Sequence, residues 1–257
     1  MTTAPRWLKA GNDGCAALLE AMSSETACEK SDLLSSGAVV GSVTTARAVE
    51  RLSELSLADL CDIVEFRLDA YPLLADRVSE AMAGAGLPSI IAARDPKEGA
   101  INVLGFSPRK ALLLATLEHA ALVDVEMRNF TLFRDVIDQA LELGKLVVAS
   151  YHDFSGMPPP ATLREMIQEA AESGAHAMKF AVTPQKSADL AVLAELLESP
   201  APLRLSVMGM GRLGRISRLW FGQLGSCLNY GYLDEASVPG QWPAGRLKQL
   251  LSELRGP

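Results

Sequence analysis

The sequence predicts a single α/β domain of the (β/α)8 barrel (TIM barrel) class over residues 38–257, preceded by an irregular extension over residues 1–37. Three observations carry this prediction. From Ala38 onward, short β-branched runs alternate with longer helical patterns, as βα units around a parallel sheet do. Eight such runs fit into residues 38–257, and eight βα units in that length are what a closed barrel needs. The main competitor, a doubly wound sheet, has fewer strands and a glycine-rich phosphate turn near its start. None follows the first run here.

Within residues 1–37, Ala16 to Met22 has the apolar content for one or two helical turns. Ser23 to Ser36 is rich in Ser, Thr and Glu without a period, so the segment reads as a loosely ordered extension. The first run, 38–43 (AVVGSV), leads into the helical pattern 46–60, and the second, 61–68 (CDIVEFRL), into a helix or long loop. The third, 88–94 (PSIIAAR), precedes a helix over 107–120, and the fourth, 121–127 (ALVDVEM), a helix over 131–144. The fifth, 145–153 (KLVVASYHD), and sixth, 175–182 (AHAMKFAV), precede helices over 161–174 and 188–199. The seventh, 203–208 (LRLSVM), and eighth, 226–233 (SCLNYGYL), complete the set. Gly144 and Gly174 fall where a helix C-terminus needs a left-handed residue.

Composition narrows the class. Hydrophobic residues make up 49% of the 257 and charged residues 21%, the balance of a globular chain with a full core. Asp and Glu (31) outnumber Lys and Arg (24), for a net charge of −7, and no basic stripe is present. A nucleic-acid partner is therefore not expected. No apolar run approaches the ~20 residues that cross a bilayer, so no membrane partner is expected either. The four cysteines, Cys15, Cys28, Cys61 and Cys227, form no C-x-x-C pair and no zinc spacing. They read as free thiols in a reducing compartment. The start, MTTAPRWLKAGNDG, lacks an apolar signal core, and Asp13, Glu20 and Glu25 argue against a transit peptide. The expected location is the cytoplasm.

Barrel active sites lie at the C-terminal ends of the strands, and unusual polar residues fall there. In CDIVEFRLD, period 2 puts Glu65, Arg67 and Asp69 on one face. Such charges facing a core are costly unless paired or wetted by a site; the bland reading is an ion pair in which Arg67 holds Glu65. The fifth run ends SYHDF, where Ser150 and His152 share a face. His titrates near neutrality, so a strand-end His suits proton transfer, although a core His with satisfied nitrogens is the bland alternative. His119, which ends a helix, and His176, which opposes the face of Lys179, read as structural. Lys179 interrupts the apolar run AHAMKFAV. Lys is almost never buried unpaired; desolvation and neighbouring cations would free its amine to attack a ketone. The bland reading is a Lys reaching to the rim.

Residues Gly209 to Gly214 match G-x-G-x-x-G, with Asp234 twenty residues beyond, which admits a dinucleotide-binding turn. Only 43 residues follow Gly214, too few for the rest of a nucleotide domain. The loop after the seventh barrel strand, with Arg212, Arg215 and Arg218 ready for a carboxylate or phosphate, fits better.

The segments EFRLD, AARDPKEGA, SYHDF, AMKFAVTP, GRISRL and ASVPGQ occur in that order between Ala38 and Gln241. Together they resemble the type I 3-dehydroquinate dehydratases, imine-forming enzymes of the shikimate and quinate pathways. The resemblance implies a (β/α)8 barrel that dehydrates 3-dehydroquinate without cofactor or metal. Lys179 would form the Schiff base with the C3 ketone. His152 would move the C2 proton and assist loss of the C1 hydroxyl, with Glu98 orienting it. Arg218 would bind the carboxylate, and Glu65, Arg67 and Arg94 the hydroxyls. Ser237 and Gln241 would close over the substrate as a lid, and Ser42 matches at the end of the first strand. The family is often dimeric, so a homodimer is expected. The sequence departs from the family in two places. Residues 1–37 do not resemble the family's opening hairpin, which covers the barrel floor, and the family's E-G-G reads Glu98-Gly99-Ala100.

The chemistry agrees with these residue types. A protonated imine is a stronger electron sink than a ketone, so it lets one base remove an adjacent proton near neutral pH. A carboxylate beside the His would fix its tautomer and favour its charged form. Another imine-forming barrel, such as a class I aldolase acting on a phosphorylated sugar, is the alternative enzyme. A catalytically silent homologue that binds a small carboxylic acid is the alternative outside catalysis.

Overall fold

The computed structural model describes residues 33–34 and 37–255. Eight parallel strands form one sheet: β1 (Ala38–Val43), β2 (Ile63–Arg67), β3 (Ser89–Ala92), β4 (Leu122–Glu126), β5 (Leu146–Asp153), β6 (Ala177–Val182), β7 (Arg204–Gly209) and β8 (Leu228–Tyr232). Their order runs β7-β6-β5-β4-β3-β2-β1-β8, with β8 paired in parallel to β1. The sheet is a barrel whose remaining seam, β7 to β8, is bridged mainly by side chains. Cys227 N donates to the Leu205 carbonyl at 2.8 Å. The Ser206 hydroxyl donates to the Leu228 carbonyl at 2.7 Å, and Val207 N donates to the Ser226 hydroxyl at 3.0 Å.

The helices are α1 (Ala46–Glu50), α2 (Leu57–Leu60), α3 (Ala75–Gly84), α4 (Phe106–Thr116), α5 (Arg134–Glu142), α6 (Pro160–Glu172), α7 (Ser187–Glu198), α8 (Gly214–Gln223) and α9 (Ala244–Arg255). Local chemistry sets several ends. The Thr45 side chain accepts from Ala48 N ahead of α1, and Pro160 opens α6, where its missing N–H costs nothing. Gly144 (φ 62°) and Gly174 (φ 89°) take the expected left-handed conformation after α5 and α6. The stretch 46–60 is not one helix: a 3-10 turn over Leu52–Glu54 and an extended Leu55 separate α1 from α2. Helices α3, α8 and α9, which follow the second, seventh and eighth strands, complete the outer ring.

Period 2 along each strand divides the core into two layers. Val64 and Phe66 of β2 face outward to the helices, whereas Ile63 packs in the barrel lumen with Val40, Ile90, Leu122, Val148 and Leu228. Further along the same inward face, the apolar residues give way to Glu65 and Arg67. The lower lumen is thus a packed core, and the upper lumen carries charge. Leu34 is buried in the lumen cluster. The readings on residues 1–32, 35 and 36, including the turns at Ala16–Met22, Cys15 and Cys28, lie outside the described residues. Cys61 and Cys227 are free and buried, and burial pushes their thiols up to about 11 and about 12. Among the described residues, no helix is long and apolar enough to cross a membrane.

Candidate active site

All ten candidate residues line one cavity at the C-terminal ends of the strands: Ser42, Glu65, Arg67, Arg94, Glu98, His152, Lys179, Arg218, Ser237 and Gln241. Lys179 sits on β6, opposite Ser150 of β5, and is 3% exposed. Its Nζ donates to Asp124 Oδ2 at 2.8 Å and lies 3.7 Å from Glu65 Oε1. The amine points inward rather than to the rim. Its nearest charged neighbours are carboxylates, whereas the sequence reading placed cations there. The cation Arg94 stands on the far side of Asp124, donating to both of its carboxylate oxygens at 2.9 and 3.0 Å. Burial pushes the Asp124 carboxyl up, but Arg94 and Lys179 overcome this and hold it well below the usual carboxylate range. Ser150 completes the set by donating to Asp124 Oδ1 at 2.6 Å.

Arg94 serves the scaffold as well as the cavity. The same Nη1 reaches Glu126 at 3.0 Å, and Glu126 also accepts from Arg109 at 2.8 Å and from Asn129 at 2.9 Å. Buried charges persist here because each is paired and hydrogen-bonded. Asp124 and Glu126, which hold the cavity residues Lys179 and Arg94 from behind, are absent from the sequence-based candidates. Their signal was available, since LVDVE in β4 shows the same inward period-2 charges as IVEFR in β2.

Arg67 does not hold Glu65. It pairs with Asp69 through Nε (2.9 Å) and Nη2 (3.0 Å), and Nη2 also donates to the Gly99 carbonyl at 3.0 Å. Glu65 instead accepts from the Ser42 hydroxyl at 2.6 Å. The correction follows from position: Asp69 lies in the 3-10 turn after β2, where the chain bends back toward the guanidinium.

Glu98 occupies the short 3-10 turn after β3, whose first residue is Pro96. One of its oxygens accepts the His152 backbone N–H at 3.0 Å and lies 3.0 Å from Nδ1, leaving Nε2 as the working nitrogen. Burial, reinforced by Arg94 and Lys179, pushes His152 well below its usual value, which favours the neutral ring over the charged form expected beside a carboxylate. Burial also pushes the Glu98 carboxyl up to about 7, against the opposing pull of Arg94.

Of the three arginines after β7, only Arg218 enters the cavity. Arg212 reaches the Gln185 carbonyl on the surface, and Arg215 stacks over Trp242. Arg218 is anchored by Nη1 to the Tyr230 carbonyl at 2.8 Å, and its buried Nε has no partner. Burial lowers its pKa to about 10. Of the glycines in residues 209–214, Gly211 answers to a left-handed φ of 68° and the other two to packing. A Cβ at Gly209 would meet the Ser217 hydroxyl at 2.6 Å, and one at Gly214 would meet Gly240 backbone at 3.0 Å. Asp234 accepts from Thr44 N at 3.1 Å and Thr44 Oγ1 at 3.0 Å, tying the loop after β8 to β1. In that loop Ser237 N donates to Gln241 Oε1 at 3.0 Å. His176 is structural, its Nδ1 accepting from Val147 N at 3.1 Å.

Fold and site together define a (β/α)8-barrel enzyme with a buried lysine and a carboxylate-oriented imidazole in one mouth. The family model described as type I 3-dehydroquinase matches residues 39–256, and the chain belongs to that family. It is 33% identical over 205 residues to the 3-dehydroquinate dehydratase of Methanothrix thermoacetophila, covering 79% of this chain and 86% of that one. The Aromatoleum aromaticum 3-dehydroquinate dehydratase is 31% identical over 223 residues, covering 81% and 85%. Among solved structures, the 3-dehydroquinate dehydratase from Geobacillus kaustophilus superposes with a TM-score of 0.77 at 27% identity, covering 85% of this chain and 91% of that one.

Proposed function

We propose that the chain dehydrates 3-dehydroquinate to 3-dehydroshikimate through an imine on Lys179. The observation that carries this reading is the Lys179 amine, buried in the same cavity wall as His152, whose Nδ1 side is occupied by Glu98. The amine adds to the C3 ketone, and water leaves to give the protonated imine. His152 Nε2 then takes a C2 proton, and the electron pair moves into an enamine. The C1 hydroxyl departs as water with the proton that His152 carries, on the same face. Water then hydrolyses the imine and returns the Lys179 amine, so one water is lost overall. Arg218 offers its unpartnered Nε to the carboxylate. Glu65, aligned by Ser42, and the remaining nitrogen of Arg67 address the ring hydroxyls. Arg94 holds Asp124 in place, and Ser237 with Gln241 covers the cavity.

An aldolase acting on a phosphorylated sugar is less well supported, because Arg212 and Arg215 turn away from the cavity. The reading further assigns the chain to the cytoplasm, working as a homodimer, as the family resemblance implies. Borohydride reduction in the presence of 3-dehydroquinate tests the mechanism. We expect a stable adduct on Lys179, absent in Lys179→Ala. In His152→Ala the adduct should persist while turnover falls by about 100-fold or more. A folded wild-type protein with an unmodified Lys179 would refute the reading.

A further inference from the structure

Among the described residues, only two buried side-chain nitrogen or oxygen atoms lack a hydrogen-bond partner, Arg218 Nε and Tyr230 Oη, and both belong to the wall of the same cavity. The carboxylate reading accounts for Arg218. It leaves Tyr230 without a role, although this residue is 4% exposed and projects inward from β8. A phenylalanine would pack there without burying an unmet hydroxyl, and such a hydroxyl is costly in a dry interior.

The surroundings narrow what the hydroxyl can meet. Burial, then the Glu65 charge, pushes its pKa well above the usual value, so it is a donor and not a base. Its carboxylate neighbours are engaged elsewhere: Glu65 with Ser42, and Asp124 with Arg94, Ser150 and Lys179. The ring lies against the reacting nitrogen, with Lys179 Nζ 4.0 Å from its centroid. A ketone carbon that bonds to Nζ therefore lies beside that ring, with its oxygen one bond further on. The ring face is meanwhile a favourable surface for a cation, and the lysine nitrogen keeps a positive charge when it becomes a protonated imine.

We propose that Tyr230 is a substrate-contacting residue of this site: its hydroxyl donates a hydrogen bond to the ketone oxygen that Lys179 attacks, and its ring face supports the iminium that follows. The inference rests on the imine reading above. The hydroxyl keeps its proton throughout. The bond strengthens as negative charge gathers on the oxygen during attack, so it favours the addition step over simple binding.

Rapid-mixing borohydride trapping with 3-dehydroquinate, read as adduct mass against time, tests this in Tyr230→Phe and Tyr230→Leu. For Tyr230→Phe we expect adduct formation and kcat slowed about tenfold, with KM little changed. For Tyr230→Leu we expect a further loss and a smaller plateau of adduct, because the cation has lost its ring. Unchanged melting temperatures would show that both variants fold. If wild type traps an adduct and Tyr230→Phe forms it at the same rate, the hydroxyl assignment is overturned while the imine reading stands. A Tyr230→Phe variant that raises KM alone overturns the assignment in the same way. If wild type traps nothing, both fail together.

Discussion

His152 shows how the site's charges decide a protonation state. A carboxylate at 3.0 Å would ordinarily favour imidazolium, yet burial and the two cations beyond it pull the other way, toward the neutral ring. The sign for activity follows. In the proposed mechanism the neutral ring is the base, and a lowered pKa extends its neutral range toward acid. We expect the imidazole itself to give no acid limb near 6.5, so a change in kcat/KM near pH 7 belongs to Glu98 and is absent from the pH–rate profile of Glu98→Gln. An acid limb centred at or above 6.5 that survives in Glu98→Gln would contradict it. At this scale the sequence was largely readable. Glu65, Arg67, His152 and Lys179 stood out because inward positions of a strand should be apolar. The Asp124 link between Arg94 and Lys179 was not readable. It joins β3, β4 and β6, and only closure of the sheet brings those side chains together. The state of His152 was likewise hidden, because it depends on burial that no local pattern reports.

Among the elements, the eight strands were legible within a few residues at each end, and four helical patterns with them, whereas the fifth, 46–60, is broken into α1 and α2. The helices after β2 and β7 were not, and the reason is their buried faces. Helix α3 buries only Val78 and Met82, and α8 buries Gly214, Ser217, Arg218, Phe221 and Gly222, so neither shows a continuous apolar stripe. Helix α9, for which the sequence analysis gives no pattern either, does carry one, in Ala244, Leu247 and Leu251. Equally silent in the sequence is the β7–β8 seam, where hydroxyls stand in for part of a ladder. Ser206→Ala leaves the buried Leu228 carbonyl without that donor, and we expect a loss of about 1–3 kcal/mol in denaturant unfolding. The β1–β8 edge, closed by backbone pairing, carries no such dependence on one side chain.

For the molecule as a whole, the open question from the sequence was how the barrel floor is closed without the family's usual opening hairpin. Leu34 lies four residues before β1, which puts it at the N-terminal end of the strands, and it is 4% exposed within the lumen cluster. Leu34→Ala should cost about 2–4 kcal/mol in global stability, read from the denaturant midpoint, because the packed lumen can only partly collapse into the cavity left behind. An unchanged midpoint would remove Leu34 from the core. At the opposite end, the buried cations Arg67, Arg94, Arg109 and Lys179 each have a carboxylate counterpart, and Arg218 has none among the described residues. The resting barrel therefore carries one uncompensated positive site near its top. In the proposed reaction, an acid that docks there does more than present itself for turnover. It supplies the counter-ion that none of the described residues provides, so ligand and fold complete a single electrostatic whole.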